Sequence, residues 1–109
     1  MLDIYEKDTE GQRKQHPTWR MLQERRSLLI TMGDVYRETL HGIGNVTSDQ
    51  NLDAKQIVNW DMLRDDTRTA CASNNGILER QLRISATIRD VIKVRDYSRL
   101  LPGLGNRRL

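Results

Sequence analysis

The sequence contains no phenylalanine, a single cysteine and no long apolar run. Because only 5% of its residues are aromatic, the chain lacks the bulk for a thick core, and an elongated protein is expected. The lone cysteine, Cys71, excludes an intramolecular disulfide and suits a small buried position. No stretch approaches the ~20 apolar residues of a membrane span, and residues 1–6 lack the pattern of a signal peptide. These absences predict a cytoplasmic protein.

Charged residues are abundant instead, at 30% of the 109 positions. The 18 basic residues outnumber the 15 acidic ones, and much of the excess lies near the end of the chain. A basic end can contact phosphate, so a helical protein that binds nucleic acid through residues 95–108 is one alternative. Only Tyr97 offers a ring there for stacking on bases, which weakens this alternative.

A regular pattern occupies residues 60–91, where steps of three and four residues alternate without a break. This spacing predicts a long helix that presents one seam to other helices. Three polar residues interrupt the seam at intervals of seven, and a helix with such a seam beside a second apolar row is expected to meet more than one partner. The seam consists of Trp60, Leu63, Thr67, Ala70, Asn74, Ile77, Gln81, Ile84, Ile88 and Val91.

A shorter helix is expected before the long one, with Thr18 as its N-cap and the glycines Gly42 and Gly44 at its end. The long helix then runs from about residue 49 to about residue 97. The predicted fold is all-α: an elongated antiparallel helical hairpin or thin helical bundle, packed as a coiled coil, with one long C-terminal helix. Its parts are a polar N-terminal segment (residues 1–17, a short helix or disordered), the helical hairpin domain (residues 18–97) and a basic flexible tail (residues 98–109).

Catalytic chemistry finds no support in the sequence. His16 and His41 stand alone, without a carboxylate or cysteine at the spacing that a metal site needs. The glycines at 42 and 44 follow no strand pattern and precede no Lys-Ser or Lys-Thr pair, so they do not form a phosphate-binding loop. We therefore predict a protein that is not an enzyme, with no catalytic residue, cofactor or metal site.

Two motifs resemble those of FlgN-type flagellar type III export chaperones. Residues 23–29 (QERRSLL) are similar to the polar-basic-Ser-Leu-Leu run in the family's first helix. Residues 74–79 (NNGILE) resemble the Asn-Gly element of its long last helix, and the separation of the two motifs is similar as well. The resemblance covers roughly residues 20–100, although the family usually has a longer first helix before the Ser-Leu-Leu run.

The resemblance implies a cytoplasmic, non-catalytic secretion chaperone that binds the C-terminal helices of hook-filament junction proteins for flagellar export. An amphipathic helix of the client would complete the seam of the long helix. By the same resemblance, Tyr97 is the implied contact with the export gate. The implied client groove consists of Ile77, Leu78, Leu82, Ile84, Ile88, Val91 and Ile92.

Two alternatives remain open for the seam itself. The groove residues could instead pack against the first helix or against another copy, as in a homodimer. A small helical structural subunit of a phage or secretion assembly would self-associate through the same seam. Oligomeric state separates these alternatives, because an assembly subunit grows or closes into larger symmetric species.

Overall fold

The computed structural model describes residues 1–89, in which short strands form two antiparallel sheets beside two short helices. In the larger sheet the strand order is β2-β1-β3, and the smaller sheet pairs β4 with β5. The strands are β1 (Leu2–Glu6), β2 (Trp19–Met21), β3 (Thr39–Gly42), β4 (Ser48–Asp49) and β5 (Leu78–Glu79); the helices are α1 (Gly33–Glu38) and α2 (Asp65–Ser73); a 3₁₀ turn spans Trp60–Met62.

Strand β1 is the centre of the larger sheet. Alternation along this strand puts Leu2 and Ile4 on the same face, and both side chains are buried. Ile4 lies opposite Trp19 of β2 on one side and His41 of β3 on the other. The N-terminal segment is therefore paired on both sides and belongs to the sheet, where the sequence had suggested a short helix or disorder.

The loop between β1 and β2 is held by two carboxylates. Asp8 accepts hydrogen bonds from the backbone amides of Glu10 and Gln12, each at 2.9 Å, in the manner of an Asx turn. Glu6 accepts hydrogen bonds from the Lys14 ammonium at 3.0 Å and the Thr18 hydroxyl at 3.1 Å. The Lys14 and Thr18 contacts hold the pKa of Glu6 below its usual value. Thr18, expected as a helix cap, thus closes a hairpin loop.

A small core brings together α2, the chain between β4 and α2, and the residue that follows β2. It is built almost wholly from aliphatic side chains, with Cys71 completely excluded from solvent, as the sequence predicted. Burial raises the pKa of the Cys71 thiol, so the thiol stays protonated and unreactive. The buried members are Leu22, Leu52, Ile57, Leu63 and Cys71, and Met1, Trp60 and Leu78 pack against them.

Two polar side chains connect distant parts of the chain around this core. The Asn59 amide accepts a hydrogen bond from the Leu22 backbone N–H at 3.0 Å and donates one to the Leu22 carbonyl at 2.9 Å, like a strand partner. The Glu24 carboxylate accepts hydrogen bonds from the Arg64 backbone amide at 3.1 Å and the Thr67 hydroxyl at 2.5 Å. Glu24 therefore caps the N-terminus of α2 from outside that helix.

The all-α prediction, including the helical hairpin, the helical bundle and the coiled coil, is wrong. Where the first helix was expected, the chain forms β2, an irregular stretch, the six-residue α1 and β3. Gly33 begins α1 with φ +58°, outside the right-handed helical region. The spacing of apolar residues suggested a buried helix face, but Leu28 and Met32 face solvent. The residues of β2 pair with β1 instead of continuing a helix.

The long helix is also absent from the described residues. Helix α2 ends at Ser73, because Asn75 and Gly76 adopt positive φ values of 54° and 71°. A Cβ on Gly76 would lie 3.1 Å from the Leu52 backbone nitrogen, so this close turn requires glycine. After the turn the chain forms β5 and then continues in an extended form to residue 89. The predicted boundary at residue 97 and the predicted tail lie outside the described residues.

Candidate protein-binding site

Residues 80–89, called here the extended segment, follow β5 and contain no helix or strand. Their sequence, RQLRISATIR, places apolar side chains at every even position from 82 to 88 and polar ones between them. In an extended chain, side chains at i and i+2 point to the same side. Leu82, Ile84 and Ile88 are 93%, 91% and 95% exposed, so this apolar edge makes almost no contact within residues 1–89.

The start of the extended segment is fixed by Arg80. Its guanidinium donates hydrogen bonds to Oδ1 of Asp49 from Nε at 3.0 Å and from Nη2 at 2.6 Å. A further nitrogen, Nη1, donates to the Gly44 carbonyl, and the Arg80 backbone amide donates to the Thr47 carbonyl at 2.8 Å. The Met1 ammonium lies 3.2 Å from the other Asp49 oxygen. The apolar edge therefore emerges from a rigid point.

Electrostatics favour the charged form of Asp49. Burial pushes the pKa of Asp49 up, but the hydrogen bonds from Arg80 and the nearby Met1 ammonium outweigh it and leave the pKa below its usual value. Asp3 and Arg20 form a second ion pair at 3.4 Å, and both ion pairs line an open polar cleft of about 670 Å³. Each of these charged groups already has a partner within the chain. The ion pairs that line this cleft therefore stabilise the fold and leave no charge among its described residues for a ligand.

A different cleft, called here the acidic cleft, lies at the other end of β1 and has a volume of about 500 Å³. Trp19 and Val35 contribute apolar surface to its lining, and both are more than one-third exposed. Its acidic lining residues are Glu6, Asp8, Asp34 and Glu38, opposed by a single lysine, Lys7. The cleft thus combines apolar surface with an excess of negative charge.

Two of these acids are available to a ligand. The Glu6 and Asp8 carboxylates are already engaged in the hairpin loop. Asp34 and Glu38, by contrast, are exposed and form no ion pair within residues 1–89. They lie one turn apart on α1, where like charges repel, so a cation between them would stabilise this face.

The predicted client-groove residues occupy three different settings. Leu78 packs against the core, and Ile77 beside it is 41% exposed. Leu82, Ile84 and Ile88 share the apolar edge of the extended segment, although on an extended chain and not on a helix. Val91, Ile92 and Tyr97 lie outside the described residues. The groove itself stays a prediction, without the helical seam on which it was based.

Sequence reasoning missed the acidic cleft and the extended character of residues 80–89. The strict alternation of apolar and polar residues from 81 to 89 was visible, and it is the pattern of a strand. Ile84 and Ile88 are four apart and fit a helix equally well, which hid the shorter period. No local signal indicated that Trp19 would meet Asp34 and Glu38, since tertiary folding alone brings them together.

The described part of the chain offers neither a metal site nor a membrane-spanning helix. Within residues 1–89, no three His, Cys, Asp or Glu side chains converge as a metal site would require, and no helix is long and apolar enough to cross a membrane. Comparison with known proteins finds no matching family model, no curated relative and no similar solved structure. The resemblance to flagellar export chaperones therefore stays a prediction from two motifs.

Proposed function

We propose that this chain is a non-catalytic protein-binding module that joins other protein subunits through its extended segment. The observation that carries the proposal is the apolar edge of Leu82, Ile84 and Ile88, more than nine-tenths exposed on a segment that Arg80 holds in place. Burying each of these side chains is worth about 1.5–3 kcal/mol, so their exposure is costly unless a partner covers them. Extended segments with alternating side chains are a common means of protein recognition.

A structural subunit of a phage or secretion assembly, one of the alternatives from the sequence, is compatible with this function. The surface through which such a subunit would associate is then the extended segment and not a helical seam. Binding of hook-filament junction proteins, with Tyr97 at an export gate, stays a prediction from the resemblance, as do the homodimer and nucleic-acid binding by residues 95–108. The cytoplasmic location and the absence of enzymatic activity are likewise predictions that belong with this proposal.

The test compares variants of the full chain as bait in a lysate of the source cell. The variant L82S/I84S/I88S removes the apolar edge, and its matched control S85A/T87S changes two exposed residues on the polar side of the same segment. Mass spectrometry quantifies the proteins that each bait retains, added copies of the chain included. Because all five positions are exposed, both variants should keep the thermal stability of the wild type within about 2 °C.

The proposal predicts that a defined set of proteins binds the wild type and the S85A/T87S control in constant proportion. The same set should be lost from the L82S/I84S/I88S bait by a factor of about 30 or more. Equal retention by all three baits would show that the extended segment is not the binding element and would end the proposal.

A further inference from the structure

The extended segment and the acidic cleft lie at opposite ends of β1. Arg80 meets Asp49 and Met1 at the start of this strand. Arg83 also lies near the start of β1. Its Nη2 donates to the Gln23 side chain at 3.1 Å, and Gln23 comes two residues after Met21, the residue that pairs with Leu2. The cleft begins at the other end, with Glu6 and the hairpin loop. A segment that leaves one end and a cleft that opens at the other are arranged for contact between successive copies.

The two surfaces are complementary in charge. Residues 80–89 contain Arg80, Arg83 and Arg89 and no acidic residue. Arg80 is committed to Asp49, whereas Arg83 donates to the neutral Gln23 and, like Arg89, forms no ion pair within the described chain. Their positive charge complements the two uncommitted carboxylates of the acidic cleft, Asp34 and Glu38, which lie one turn apart on α1. Opposite charges placed in this way select a partner and speed its association.

The two surfaces also match in apolar character. Trp19 and Val35 leave apolar surface open in the cleft, whereas Leu82, Ile84 and Ile88 have no apolar neighbour to cover them within residues 1–89. The extended segment is apolar and basic, and the cleft is apolar and acidic. The two surfaces of the same chain therefore complement each other in both apolar character and charge.

We infer that the extended segment of one copy binds in the acidic cleft of a second copy, with its apolar edge toward Trp19 and its opposite, basic edge toward the carboxylates of Asp34 and Glu38 on α1. The inference rests on the proposed function, since it names the subunit that the segment binds. Each copy then offers a segment to one neighbour and a cleft to another. Such a heterologous contact propagates from copy to copy and produces a ring if the rotation closes or a filament if it does not.

The test uses two full-length variants that each lack one of the surfaces. L82S/I84S/I88S has no apolar edge but keeps the cleft, and D34K/E38K has a charge-reversed cleft but keeps the segment. The control D61K/E79K makes the same change in net charge at two exposed acids outside the cleft. Sedimentation velocity over a range of concentrations gives the mass of each variant, and circular dichroism checks that each one folds.

The wild type and the D61K/E79K control should grow in mass with concentration, whereas each of the two blocked variants alone should stay monomeric, with association weakened about 30-fold or more. An equimolar mixture of the two blocked variants should form a 1:1 dimer and grow no further, because it joins one intact segment to one intact cleft. Raising the salt concentration from 50 mM to 500 mM should dissociate that dimer, since the screening length becomes about 4 Å.

The outcomes separate this inference from the proposed function. If D34K/E38K assembles like the wild type while L82S/I84S/I88S does not, the acidic cleft is not the receptor, and the segment keeps its binding role. If the wild type is monomeric at every concentration, a second copy is excluded as the occupant of the cleft. In that case the lysate comparison alone decides the proposed function.

Discussion

Arg80 donates two hydrogen bonds to a single carboxylate oxygen of Asp49, from Nε at 3.0 Å and from Nη2 at 2.6 Å. The two residues are 31 positions apart in the sequence. Asp49 belongs to β4, and Arg80 directly follows its partner strand β5. The pair therefore closes the smaller sheet and, at the same time, sets the point from which the extended segment leaves the domain.

The first prediction concerns removal of the charge on Asp49. The substitution Asp49→Asn leaves the Arg80 guanidinium without its counter-ion in a largely buried position, and we expect a loss of about 2–4 kcal/mol in the free energy of unfolding. Arg83→Gln is the control, because its contact with Gln23 is exposed, and it should change stability by less than about 0.5 kcal/mol. Urea denaturation measures both values. Equal midpoints for the two variants would show that the Asp49 pair does not hold the fold.

The second prediction concerns the dependence of stability on pH. The pKa values of Asp49 and Glu24 are both lowered from their ordinary values of 3.8 and 4.5. A carboxyl whose pKa is lower in the folded state binds fewer protons there than when unfolded, so stability falls as the solution becomes acidic. The full contribution should be present above about pH 5.5 and should decline as the pH falls through the ordinary values and then through the lowered ones.

Urea titrations between pH 3 and pH 7 measure this dependence. In Asp49→Asn and Glu24→Gln, the decline on acidification should be shallower than in the wild type, because one titrating group is missing from each. A decline of unchanged steepness in both variants would show that other carboxyls determine the acid sensitivity.

The third prediction tests the cap that Glu24 provides for α2. The Thr67 hydroxyl is the main cause that lowers the pKa of Glu24, with the Arg64 backbone amide contributing as well. Glu24→Ala removes both hydrogen bonds and should cost about 1–2 kcal/mol, whereas Glu24→Gln keeps an acceptor oxygen and should cost about half as much. Thermal denaturation followed by circular dichroism gives the two values. A loss in Glu24→Gln as large as in Glu24→Ala would mean that charge, and not hydrogen bonding, provides the cap.

The fourth prediction concerns the turn that ends α2. Gly76 has φ +71°, and an added Cβ would approach the Leu52 backbone at 3.1 Å. We expect Gly76→Ala to lower the free energy of unfolding by about 1–3 kcal/mol through backbone strain and this close contact. Gly44→Ala is the matched control, since Gly44 has no positive φ and nothing lies within 4 Å of its added Cβ. If both variants unfolded at the same urea concentration, the turn would not depend on glycine.

The sequence contained reliable local signals, and some were interpreted correctly. Cys71 was expected to be buried, and it is completely excluded from solvent. Residues 74–76 are three weak helix formers in a row, and Asn75 and Gly76 do end α2 there. The error lay in continuing the helix beyond them, because the 3-4 spacing of the seam outweighed the strand-like alternation of residues 81–89.

Other features could not be predicted from local patterns at all. Glu24 caps a helix that begins 41 residues later, and Asn59 pairs with Leu22 across 37 residues. The alternation of Leu2 and Ile4 fits a strand, but their burial depends on β2 and β3, whose residues also fit a helix. Such contacts form only when the whole domain folds, so tertiary packing overrides the helical tendency of each segment.

The most direct measurement is hydrogen exchange of the backbone amides of residues 82–89 in the dilute wild-type monomer and in the assembled state. In the monomer these amides should exchange as fast as an unstructured peptide, while the amides of β1 and α2 are protected. In the assembled state the amides of residues 82–89 should become protected, and those around Asp34 and Glu38 should slow with them. Protection of residues 82–89 already in the dilute monomer, or no protection of them on assembly, would contradict a binding role for the extended segment.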